Sequence, residues 1–199
     1  MSYRVAHLDE LDRVPVEHGL EWRPIRRHLG IQAFGVNAYT SEKVGDWVVE
    51  EHTERSRRHE EIYMVVRGRA RFTLGTDGFD APEGTIVFIS DPDLKRVAVA
   101  EEEGTTVLAV GSAPGEAFTP DAWEWYFQAY EQPVEQGIET LQHGIEELGD
   151  DGRLYYHLAC LEVKAGRLDD AKTHLARAVE LDPKLAEQAE RDDDLKEVR

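Results

Sequence analysis

Basic side chains are scarce in this chain. Lysine and arginine number 23 against 41 aspartates and glutamates, a formal charge of −18. A phosphate backbone or an anionic membrane surface would repel such a protein, so nucleic acid and membranes are excluded as partners. Cysteine is nearly absent. Cys160 stands alone, so no intramolecular disulfide can form, in keeping with a reducing compartment. Long apolar runs are missing as well: nothing is long enough to span a bilayer, and the opening Met1 to Glu10 has no apolar core of an export signal. The expected location is the cytoplasm.

What is present divides at Gly111 to Gly115. Before it, runs of β-branched and aromatic residues alternate with turn signals. The expected strands are Ile31 to Thr40, Trp47 to Glu51, Glu61 to Leu74, Gly84 to Ile89, Val97 to Ala100 and Thr105 to Val110. The connections are too short for crossover helices, so the sheet should be antiparallel and closed or sandwiched. Ahead of these, Trp22 to His28 reads as an extended arm. After the boundary, Ala, Leu, Glu and Gln dominate in a helical pattern, and residues 113–199 hold 21 acidic against nine basic side chains, or −12 of the −18. The expected domains are 1–112 and 113–199.

In the second part, Tyr155, Leu158, Ala159, Gly166, Ala171, Leu175, Ala178 and Pro183 follow the large-and-small spacing by which paired helices pack, and Gly137, Leu141 and Gly144 repeat its centre one period earlier. This part resembles a tetratricopeptide repeat, strongly over Leu154 to Pro183 and less so over Ala122 to Gly149. The resemblance implies a small surface for a protein partner. Trp123, Trp125, Tyr126 and Phe127 form an aromatic cluster suited to docking the first helix. His157 and Cys160 could touch on one helix, with packing as the plainer reading.

Metal-type ligands gather in one place: His52, Glu54, His59, Glu60 and Glu61 fall within ten residues. The stretch Gly45 to Gly68 resembles the first signature of the cupin superfamily. Glu61, six residues and Gly68 match its end, while His52 and Glu54 take the places of its two histidines, followed by an enlarged turn, Arg55 to Glu60. Residues two apart on a strand point the same way, so His52, Glu54 and Glu61, with His59 as a substitute, are the candidate metal ligands. The second signature's histidine falls on Arg96 or Lys95, and neither can ligate as a cation.

The resemblance implies an α+β multidomain protein: an antiparallel cupin-type β-barrel or jelly roll followed by a small all-α tetratricopeptide-like domain, paired as a homodimer. The function expected is binding of a small molecule, anionic ones included, in the barrel by Glu61, Tyr63, Lys95 and Arg96, without a favoured cofactor. The alternative is a metal-dependent oxygenase or isomerase holding Fe, Mn, Ni or Zn on His52, Glu54 and Glu61. Arg67, Arg69 and Arg71 are expected on a solvated face.

Overall fold

The computed structural model describes residues 4–16 and 19–199, so the start that was read for an export signal falls partly outside the described residues. The chain divides into two compact units, Met1–Phe118 and Thr119–Arg199. No described helix is long and apolar enough to cross a membrane.

Among its described residues the first unit has ten strands: β1 (Val14–Pro15), β2 (Leu20–Arg23), β3 (Gly35–Ser41), β4 (Trp47–His52), β5 (Glu60–Arg67), β6 (Arg69–Leu74), β7 (Asp77–Pro82), β8 (Ile86–Ile89), β9 (Arg96–Ala100) and β10 (Thr105–Ser112). They form two antiparallel sheets, one ordered β1-β2-β3-β10-β5-β8 and the other β4-β9-β6-β7. One apolar core lies between them. Tyr63, Val65, Val87, Ile89 and Val107 come from the first sheet and Val48, Val49, Ala70, Phe72, Ala81 and Ala98 from the second. The period-two alternation of β5 and β8 has this cause, since Tyr63, Val65, Val87 and Ile89 are buried while Ile62, Ile86 and Phe88 are exposed.

Three expectations are corrected. Glu61 to Leu74 is two strands rather than one: Gly68, at φ 74°, turns the chain where a Cβ would stand 2.7 Å from Thr105 Oγ1, so only glycine suits the turn. Asp77–Pro82, which is not among the expected strands, is β7, because it pairs along the whole length of β6. Trp22 to His28 is not extended throughout. After β2 it forms the short helix α1 (Ile25–Leu29), which Gly30 ends in the left-handed conformation at φ 69°.

The second unit has five helices, α2 (Trp123–Tyr130), α3 (Val134–Leu148), α4 (Gly152–Lys164), α5 (Leu168–Leu181) and α6 (Lys184–Arg191). Neighbours in sequence pack on each other from α2 to α5. Small residues mark the close approaches: a Cβ on Gly137 would stand 2.5 Å from the Ala129 carbonyl oxygen, and one on Gly144 would stand 2.9 Å from the Trp125 ring. Asp151 caps α4 by accepting the Arg153 backbone N–H. Cys160 is buried, and burial, reinforced by the charge of Asp192, pushes its thiol up to about 12, which disfavours the thiolate. His157 is engaged with the Tyr130 hydroxyl at 2.9 Å rather than with that thiol.

Candidate functional site

The site lies where β4 ends, β5 begins and β9 begins. His52 is the last residue of β4, in register with Arg96, the first of β9. Glu61 and Tyr63 leave β5 on its inner face. Glu54 lies just past β4, where its backbone N–H is held by the Pro92 carbonyl at 2.9 Å and its own carbonyl accepts from Arg57 and Arg58. That turn is tight enough to place Arg58 at φ 56°. Local hydrogen bonding thus carries the chain across the enlarged turn while Glu54 stays pointed at the strands.

His52, Glu54 and Glu61 converge, each offering one ligand-type atom, with all three atoms within 4.8 Å of one another. His52 Nε2 is 3.5 Å from Glu54 and 3.9 Å from Glu61, and His59 approaches Glu54 from the other side at 3.4 Å. His52 Nδ1 lies 2.8 Å from the Glu50 carbonyl, which can only accept, so Nδ1 carries a proton. Its Nε2 then faces two carboxylates. Burial works to lower its pKa, but the hydrogen bonds to Glu54 and Glu50 and the charge of Glu61 outweigh burial and raise it.

Arg96 closes the cluster from below. It is fully buried, with NH1 3.4 Å from Glu61 Oε2 and NH2 donating to the Asp91 carbonyl at 3.3 Å. The Tyr63 hydroxyl donates to the same Glu61 oxygen at 2.6 Å. Burial and the Glu54 charge raise the Glu61 pKa against the opposing pull of Tyr63, His52 and Arg96. Tyr63 is itself held well above the ordinary tyrosine range by burial and by Glu61.

Of the candidate residues, the structure gathers His52, Glu54, His59, Glu61, Tyr63 and Arg96. Lys95 is not among them. It is exposed and paired with Glu51 at 2.7 Å, because neighbours along an extended run leave on opposite sides. Arg67 pairs with Asp9, and Arg69 with Asp80 and Glu102, all on exposed surface.

Phe118 was not expected here. Its ring lies 5.9 Å from that of His59, and a Cβ on Gly35 would touch it at 2.9 Å. Nothing local marks it, since the contact depends on how the chain returns after β10.

The three donors would suit a divalent ion, and Arg96 opposes one. Glu61 Oε2 already accepts from Tyr63 and faces Arg96. An ion on that oxygen would be attracted by Glu54 and Glu61 and repelled by a guanidinium that cannot lose its proton. Arg96 NH1 is ion-paired with Glu61 at 3.4 Å and its Nε has no hydrogen-bond partner, so its charge is held beside that carboxylate.

No family model matches the chain, and no curated protein does. Among solved structures it is similar to an RmlC-like cupin from Shewanella frigidimarina, at 14% identity over 57% of this chain and 95% of the other, with a TM-score of 0.43. It is also similar to a cupin protein from Bacteroides fragilis, at 19% identity over 61% and 92% with a TM-score of 0.43. KdgF from a Halomonas species gives 20% identity over 52% and 89%, with a TM-score of 0.44.

Proposed function

We propose that the first unit is a cupin-type barrel that binds a small polar molecule without a metal, and that the cluster around Arg96 is its binding site. The observation that carries this is Arg96 itself. A fully buried guanidinium lies against Glu61, with NH1 3.4 Å from its carboxylate and Nε without a hydrogen-bond partner, and a polar ligand seated on Glu54, Glu61 and His52 would be held over that fixed positive charge. The cluster keeps one accessible side, since His52 is a third exposed while Tyr63 and Arg96 are closed off.

Thermal shift is the direct test, because a ligand that binds only the folded protein raises its Tm. Sugars, small carboxylates and phosphates would be screened with and without EDTA. The reading expects a compound that raises Tm equally in both conditions and loses its effect in Arg96→Met. A rise that requires a divalent metal and vanishes in His52→Ala would overturn it in favour of a metal-dependent enzyme.

For the helical unit the reading is a tetratricopeptide-like pair that presents a surface to a protein segment. Support comes from Gly137, Gly144, Ala171 and Ala178, which are buried at the positions where such repeats bring helices together.

A further inference from the structure

His59 stands in a turn and is nonetheless mostly covered. Thr53, Arg55, Ser56 and Arg58 are exposed, whereas the His59 side chain is 17% exposed. The backbone bonds of this turn converge on Glu54, fixing its main chain and leaving the direction of its carboxylate to other groups. Two imidazoles supply that direction. Glu54 Oε1 is 3.5 Å from His52 Nε2, and Oε2 is 3.4 Å from His59 Nδ1. His52 is anchored at the end of β4 and by the Glu50 carbonyl, but His59 precedes β5 and has no strand to hold it.

Phe118 holds it instead. Its ring centroid is 5.9 Å from that of His59, with the two planes 34° apart. The same ring meets fixed parts of the first unit. The Arg26 guanidinium lies over it at 5.6 Å, and Arg26 is 4% exposed, with NH1 donating to the Ile31 carbonyl. Gly35, the first residue of β3, makes room for it: a Cβ there would stand 2.9 Å from Phe118 Cε2 and 3.1 Å from Cζ. A side chain at position 35 would therefore push the ring away from its seat.

We infer that Phe118 is a positioning residue of the candidate site: it ties His59 to α1 and β3, and through His59 it sets the direction of the Glu54 carboxylate. The inference rests on the reading of the Arg96 cluster as a small-molecule site and adds a residue to it. In an exposed turn, a histidine and a glutamate would otherwise sample several rotamers, and a ligand would have to gather them at a cost in affinity. A ring wedged between a buried guanidinium, a glycine and the imidazole removes that freedom before any ligand arrives. Phe118 acts through His59 and not on the ligand itself.

The test uses the full chain and two readouts. Diethyl pyrocarbonate, which carbethoxylates accessible imidazole nitrogens, reads His59, and the NMR resonance of the Glu54 carboxyl carbon, assigned with Glu54→Gln, reads the carboxylate. Phe118→Leu keeps apolar bulk without the ring, Gly35→Ala displaces the ring, and Phe118→Tyr restores it. His59 should label roughly three- to tenfold faster in the first two, the weight of one aromatic contact, with the Glu54 resonance moved in both. Phe118→Tyr should match the wild type in both readouts. Wild-type labelling of His59 in Phe118→Leu and Gly35→Ala would overturn the hold on His59, and faster labelling with an unmoved Glu54 resonance would overturn its transmission to Glu54. In the wild type itself the His59 and Phe118 rings should share nuclear Overhauser contacts, and their absence would overturn the role however the variants fold. None of these readouts uses a ligand, so a protein whose Tm no sugar, carboxylate or phosphate raises would overturn the binding reading and leave the role of Phe118 standing.

Discussion

At the scale of single residues, the account turns on Glu61 Oε2, where a tyrosine proton and a buried guanidinium meet. Removing one member strands the other. Arg96→Met should lower stability to urea by roughly 3 kcal/mol, since it leaves a nearly buried carboxylate without its cation, whereas Arg96→Met with Glu61→Gln should cost clearly less than the two single changes added together. Additivity in that cycle would mean the pair is not coupled. The sequence made much of this corner legible. Glu61 was readable from its distance to Gly68 and His52 from the run before it, whereas Glu54 lies past the end of β4 and is aimed by its turn rather than by strand alternation. The choice between Lys95 and Arg96 was not readable, because it depends on which of two adjacent residues begins the inward face of β9. Phe118 was invisible for a related reason: its contacts depend on the return of the chain after β10.

At the scale of elements, glycine placement decides how closely the helices approach. Gly137→Ala would improve helix propensity by about 1 kcal/mol in isolation. Its Cβ, however, would press on a backbone carbonyl that cannot swing away, so a net loss of roughly 1–3 kcal/mol is expected in chemical denaturation. A gain would show that α2 and α3 pack more loosely than described. Within α4, burial pushes the His157 pKa down to about 4, opposed by Asp192. A histidine depressed in the folded state contributes stability that is complete above its unfolded value near 6.5 and lost as pH falls toward 4. Between pH 7 and pH 4 the wild type should therefore lose roughly 3 kcal/mol more than His157→Gln, and equal losses would contradict the burial of that ring. The helical character of this unit was legible from its Ala, Leu, Glu and Gln content. β7 was missed because Asp77, Gly78 and Pro82 are turn-type residues by composition and become a strand only by pairing with β6.

At the scale of the whole molecule, the division into a β unit and a helical unit follows the compositional break near Gly115, and each unit has its own buried clusters. Phe118 stays with the first unit because its ring packs on Gly35 and lies beneath the Arg26 guanidinium at 5.6 Å. The strong acidity of the chain, −18 overall, makes the internal placement of one arginine all the more telling: a site intended for a divalent cation would need no buried positive charge beside its carboxylates. Metal content of the protein purified without chelator tests this most directly. The account predicts far less than one equivalent of Fe, Mn, Ni or Zn per chain, with no uptake on dialysis against micromolar metal. One stoichiometric equivalent, lost in His52→Ala/Glu61→Ala, would contradict it.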